Sequence, residues 1–395
     1  MDPRTQPRST PSRSHRLLAA GRRDPVSAAL PARKLGHQPA LDGLRGLAVL
    51  LVLVFHAAHD WLRGGYVGVD VFFVLSGFLI TALLVGEWGK TGGISLPAFY
   101  RRRVARLLPA LVLFLAGTGV LLAFVAKARG SAPYLYGAIG AIAFANNWII
   151  VASGSALGHP LQPTWSLAVE EQFYLLWPLA LLLLLRRGVR RAAIFAIVTV
   201  VAAACVTASL LWARFSPNVN LYNSTLPHAV ELLIGCALAL LWHEDRIPRV
   251  LSWTPTALAG FGVLVWLALT SKVDQNAPWD CWFAALSVLP LLAVGLERRG
   301  STVSRVLSVR PLRRVGRVSY GIYLYNLPVI MAVSHILPPV RSVNFWLSPF
   351  VRVAAVYLVA ELSWRLMEAP ILRRYSRRRA PAPTLPAAAL EGEGA

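Results

Sequence analysis

An arginine and a histidine eleven residues apart in an apolar run are the chain's clearest chemical feature. Arg45 lies near the start, and His56 at the end, of the stretch LDGLRGLAVLLVLVFH at 41–56. At 100° per residue of an α-helix, eleven steps bring His56 to within about 20° of Arg45's direction, roughly 16 Å further along the axis. An ionisable pair on one face of a membrane segment is costly unless it faces protein or water, and such residues mark functional sites by default. A neutral imidazole accepts a proton near neutral pH. A guanidinium stabilises a developing oxyanion or holds a phosphate. His59, one turn beyond His56, is a second candidate acceptor. The competing reading is a structural pair capped by neighbouring helices.

Three further constellations could carry chemistry. The run YRRRVARLLP (100–109) places four arginines within six residues. Arg102, Arg103 and Arg106 suit bidentate phosphate recognition, although any arginine cluster also serves as a topology anchor. The run TWSLAVEEQFY (164–174) carries the adjacent carboxylates Glu170 and Glu171, and i,i+4 spacing puts Ser166, Glu170 and Tyr174 on one face. Acids near a helix N-terminus are also favoured by the dipole alone. The run SYGIYLYNLP (319–328) adds Tyr323 and Asn326 as supporting polar groups. A glycine-rich segment, GGYVGVDVFFVLSGFLI (64–80), reads mainly as close helix packing, with Asp70 positioning a cation or hydroxyl. His228 and Glu231, at the start of a later span, read as structural. Cys205, Cys236 and Cys281 sit singly in separate apolar segments, without metal-ligand or disulfide spacing, so neither a metal nor a disulfide is expected.

These residues must be positioned inside a membrane. The chain is 56% hydrophobic and only 15% charged, far from the balance of a soluble domain. Apolar runs of spanning length occur near 41–60, 66–86, 107–126, 166–186, 192–213, 227–244, 251–271, 279–296, 318–337 and 346–367. A further run at 132–152 is ambiguous. Taken as re-entrant or interfacial, it leaves ten spans and two cytoplasmic ends. The inner segments then carry 32 Lys and Arg against seven outside, with Arg45 completing the total of 40. That is a strong positive-inside bias, so the net charge of +22 reads as topology rather than nucleic-acid binding. Asn146 and Asn147 in the ambiguous run fit a backbone that lines protein or water rather than lipid. The expected fold is therefore an all-α integral membrane protein of about ten helices. Residues 1–36 form a basic disordered cytoplasmic tail, 37–375 the membrane domain, and 376–395 a second disordered tail.

The ordered set of motifs resembles the acyltransferase-3 family of membrane acyltransferases over roughly 37–375. LDGLRG (41–46) with His56, GVDVFFVLSGF (68–78), RRVARLLP (102–109), WSLAVEEQFY (165–174) and EAP (368–370) carry the resemblance. It implies transfer of an acyl group, commonly acetyl, from cytoplasmic acyl-CoA to a hydroxyl of a surface glycan or a macrolide-type metabolite. It also implies a multi-pass protein of the cell membrane, with acyl-CoA as co-substrate and no permanently bound cofactor. The family often carries a histidine in span nine where this chain has Asn326. Asparagine cannot take a proton at neutral pH, so the base is assigned to His56 with His59 second. Arg45 is the oxyanion or phosphate partner, Glu170 and Glu171 orient the acceptor or pair with an arginine, and Arg102, Arg103 and Arg106 hold acyl-CoA. The rival readings are a transporter or flippase of a glycan or lipid-linked intermediate, which also uses intramembrane charge, and a catalytically silent relative.

Overall fold

A computed structural model describes residues 35–125, 131–153, 159–216, 221–272, 277–297, 300–336 and 343–377. Most of both predicted tails lies outside the described residues. Every regular element among the described residues is helical. In chain order these are α1 (Pro39–Ala57), α2 (Gly68–Thr91), α3 (Leu96–Val125), α4 (Ser131–Ile142), α5 (Asn146–Ser153), α6 (Thr164–Arg186), α7 (Arg191–Phe215) and α8 (Thr225–His243). Then come α9 (Thr254–Thr270), α10 (Ala277–Glu297), α11 (Thr302–Leu307), α12 (Arg310–Arg317), α13 (Ser319–Ile336), α14 (Val343–Ser363) and α15 (Ala369–Arg377), with a π-helical turn over Trp364–Glu368.

Among the described residues eight helices are long and apolar enough to cross a membrane, namely α1, α2, α3, α6, α7, α8, α10 and α14. The 17-residue apolar α9 and the 18-residue α13 stand at the other two predicted spans. The protein is thus an all-α, multi-pass membrane protein. The ambiguous run is two short helices, α4 and α5, of 12 and 8 residues, broken by a turn in which Phe144 has φ of 52°. Neither reaches spanning length. Side chains bond backbone carbonyls before and within the break, as an interrupted backbone inside a membrane requires, while the buried Asn146 Oδ1 has no hydrogen-bond partner. Gln172 on α6 donates to the Phe144 carbonyl at 2.9 Å and to Asn147 Oδ1 at 3.0 Å. Asn146 donates to the Gly137 carbonyl at 2.8 Å and to Thr164 at 2.6 Å.

One helix lies at the centre. Apolar on nearly every side, α2 is buried along most of its length, as a helix without an amphipathic stripe must be. It packs most extensively on α8, and glycine makes that seam possible. A Cβ at Gly77 would fall on the Leu232 carbonyl, and one at Gly235 on the Val74 carbonyl. A second close crossing joins α1 to α12, where a Cβ at Gly46 or Gly316 would meet the opposing backbone. This crossing holds the Arg45 end of α1 against the arginine-rich α12. The outer faces of α6, α7 and α9 expose Leu176, Val200, Leu211 and Trp266, the apolar surface a bilayer covers.

Candidate active site

The helix of the arginine run begins at Leu96, earlier than its apolar span predicts, so Arg101–Arg106 occupy its second and third turns rather than its start. From there Arg102, Arg103 and Arg106 line a cavity of about 670 Å³ that α1, α2 and α6 also wall. Arg102 lies 3.8 Å from Glu87 of α2. The Arg103 guanidinium sits 3.7 Å from the centre of the Tyr174 ring, a cation–π contact that fixes the long side chain. Arg317 of α12 joins the same wall. Such an array of guanidinium groups accepts a polyanion such as a chain of phosphates.

A smaller inner cavity of about 60 Å³ continues from it. The two share Arg45, Ser76, Glu170 and Tyr320. Ser76 and Tyr174 both donate to the Glu170 carboxylate, so one oxygen of Glu170 is held from two helices. Arg45 donates to Ser319 at 3.3 Å and lies 5.8 Å from the centre of the Phe72 ring. The inner end is lined by Ser166 and Tyr323, which are hydrogen-bonded to each other. The predicted face of Ser166, Glu170 and Tyr174 therefore looks into the cavities.

The structure separates other predicted site residues from this set. Glu171, one step on from Glu170, lines neither cavity, and its buried Oε1 has no hydrogen-bond partner. Adjacent helical residues point about 100° apart, so the two carboxylates do not act as a facing pair. Asp70 lines neither cavity either; it is fully buried against His228 of α8, with which its oxygen makes a 3.6 Å contact. Asn326 donates to the Tyr323 carbonyl of its own helix at 2.5 Å, and its buried Oδ1 has no partner. It therefore supports the turn that carries Tyr323. His59 is exposed beyond the end of α1, edge-on to Phe55 at 5.0 Å.

His56 is on α1, half-buried, and outside the lining of both cavities. Its Nδ1 lies 2.8 Å from the Val52 carbonyl. A carbonyl only accepts, so Nδ1 carries the hydrogen there and Nε2 the lone pair of the neutral ring. That is the tautomer of a ring poised to accept a proton through Nε2. Sequence reasoning passed over Ser76, Ser319, Tyr320 and Arg317 as site residues. Ser76 lies in the glycine-rich packing segment, Ser319 and Tyr320 open the span-nine motif itself and Arg317 lies just before it, where only neighbouring helices show which way a side chain faces.

A family model described as "Acyltransferase domain" matches residues 38–364. The chain is 33% identical over 353 residues to "Peptidoglycan O-acetyltransferase OatA" of Listeria monocytogenes serovar 1/2a, covering 84% of this chain and 55% of that protein. It is 32% identical over 349 residues to "O-acetyltransferase OatA" of Staphylococcus aureus strain NCTC 8325, covering 85% and 57%. The chain thus spans about half the length of these relatives. No solved structure matches.

Proposed function

The chain belongs to the acyltransferase family whose domain spans residues 38–364, and from that premise we propose that it is a membrane O-acetyltransferase. It takes an acetyl group from acyl-CoA at its arginine-rich, cytoplasmic end and transfers it to a hydroxyl of a bacterial surface glycan of the peptidoglycan type, across the plasma membrane. The observation that carries this reading is the meeting of the two cavities at Arg45, Ser76 and Glu170, in the larger of which Arg102, Arg103 and Arg106 also line the wall. The glycan acceptor is taken from what the relatives are named for.

In this reading the three arginines hold the phosphates of acyl-CoA and the pantetheine arm runs past Arg45. Ser166 and Tyr323, hydrogen-bonded to each other, line the inner end, from which the thioester must leave the cavity to reach His56. His56 Nε2 removes the acceptor hydroxyl's proton. The hydroxyl oxygen bonds to the carbonyl carbon, the C–S bond breaks, and the proton passes to the departing thiolate. Arg45, roughly 16 Å back along α1 from His56, holds a phosphate of acyl-CoA rather than the reacting carbonyl. Glu170, held by Ser76 and Tyr174, keeps the cationic wall balanced and oriented.

The test is transfer of radiolabel from acetyl-CoA to peptidoglycan fragments by the full chain in lipid nanodiscs, with macrolides as a second acceptor panel. Label should reach a glycan, and His56→Ala should lower the rate by roughly 10²- to 10⁴-fold, the usual loss for a general base. Full transfer by folded His56→Ala removes the base assignment. Movement of an unmodified glycan across the bilayer, with no acetyl-CoA binding, replaces the enzyme with a transporter.

A further inference from the structure

A second cluster of chemistry-bearing side chains lies away from both cavities, where α2, α8 and α10 meet. Asp70 in the first turn of α2, His228 and Glu231 one turn apart on α8, and Cys281 near the start of α10 are all fully buried. One ligand-capable atom from each lies within 4.8 Å of all the others. The rings of Phe73, Trp165 and Tyr222 surround His228 with centroids 5.1–5.4 Å away.

The orientation of His228 is the informative part. Its Nε2 lies 2.6 Å from the Tyr222 carbonyl. The carbonyl can only accept, so Nε2 carries the hydrogen and Nδ1 of the neutral ring carries the lone pair. That lone pair faces Glu231, at 3.1 and 3.2 Å, and Asp70, at 3.6 Å. Three electron-rich groups pointing at one another in a dry interior must be neutralised, by protons on the carboxyls or by a cation between them. Among the described residues no Lys or Arg lies within 4 Å of either carboxylate. A proton on Nδ1 would bond to Glu231 and still leave Asp70, neither of whose oxygens has a hydrogen-bond partner. A cation with four ligand positions engages all four groups.

We propose that Asp70, His228, Glu231 and Cys281 form a buried site for a divalent transition-metal ion of the zinc class. The donor set selects it: imidazole and thiolate disfavour magnesium and calcium, whereas zinc takes mixed N, S and O ligands. A backbone carbonyl accepting from the distal N–H, as Tyr222 does, is the usual outer support of a metal-bound histidine. Zinc–ligand bonds of about 2.0–2.3 Å put tetrahedral ligand atoms about 3.3–3.8 Å apart, so binding draws the cluster together by about 1 Å and displaces the Cys281 thiol proton. The ion is a staple joining three helices that share no local sequence, and its function there is structural. The proposal does not depend on the acyl-transfer reading.

The full-length, tag-free protein in detergent micelles is loaded with zinc chloride, dialysed, and assayed by mass spectrometry for metal and by X-ray absorption at the zinc edge. The expected result is about one zinc per chain, with one sulfur neighbour at about 2.3 Å. Cys281→Ser should remove the sulfur neighbour while Cys205→Ser and Cys236→Ser keep it. A chelator should lower the thermal unfolding midpoint of the loaded wild type and leave Cys281→Ser unmoved. Wild-type protein that retains less than a tenth of a zinc per chain overturns the site, as does bound zinc with only nitrogen and oxygen neighbours. Both readings come from the wild type, so a variant that fails to fold does not rescue the idea.

Discussion

Two polar regions share the helix α2 and handle buried charge in opposite ways. Ser76 turns toward the open cavity, where Glu170 is met by Ser76 and Tyr174 and faces a wall of arginines. Asp70, six residues earlier, turns toward α8 and α10, into a sealed cluster whose described members are all acids, a thiol and an imidazole. Six helical steps amount to about 240° of rotation, so one helix serves both. The open site carries excess positive charge and suits an incoming anion. The sealed site gathers two acids, a thiol and an imidazole out of reach of any incoming ligand, and the metal ion proposed above would compensate them there. Charge that exchanges with ligand is left accessible, and charge that holds helices together is walled in by aromatic rings.

The comparison breaks most completely at the seam between the two regions. Gly77→Leu places a side chain on the Leu232 carbonyl where α2 meets α8. No rotamer relieves a backbone clash, so the protein should fail to yield a monodisperse peak on size exclusion, and a folded, active Gly77→Leu protein would remove the seam from the account. His228→Ala strikes only the sealed cluster. It leaves two buried carboxylates without their imidazole, a loss of roughly 3–5 kcal/mol when a buried pair is broken. The unfolding midpoint should drop, while KM for acyl-CoA in the folded fraction stays near wild type.

Arg103→Ala should do the reverse. A charge-assisted contact to phosphate is worth roughly 1.5–3 kcal/mol, so KM for acyl-CoA should rise about 10- to 100-fold, with little change in the unfolding midpoint. An unchanged KM would return the arginine run to a topology anchor. Ser76→Ala removes one of two donors to Glu170 and should cost roughly 0.5–1.5 kcal/mol, a several-fold fall in kcat/KM. Salt gives the smallest and sharpest contrast. Raising ionic strength from 0.1 to 1 M shortens the screening length from about 10 to 3 Å. This should weaken acyl-CoA binding a few-fold and leave the stability gap between wild type and His228→Ala unchanged, because the cluster's members are fully buried and screened little by bulk salt.

Much of the open site was legible because its signals are local. The face of Ser166, Glu170 and Tyr174 follows from one helix's periodicity, whereas the same periodicity puts His56 on Arg45's face and the structure leaves His56 outside the lining of both cavities. The arginine run and the break near Asn146 also announce themselves within a few residues. What was not legible depended on facing partners. Glu170 and Glu171 look equivalent as neighbours, yet only the first meets Ser76. Asp70 reads as a possible site residue beside the cavity, yet it faces α8.

Composition and periodicity by themselves determined that this chain crosses a membrane many times as helices, because in lipid every backbone N–H and C=O must be satisfied within the segment. They also determined which residues share a helical face. Only the tertiary structure decided which faces meet. Asp70 and Cys281 are 211 positions apart in the chain, and no spacing rule connects them. They come together because glycines let α2 and α8 approach backbone to backbone and α10 packs on both. Helix-to-helix contact is set by the fit of whole surfaces, and no one segment's sequence contains the surface it will meet.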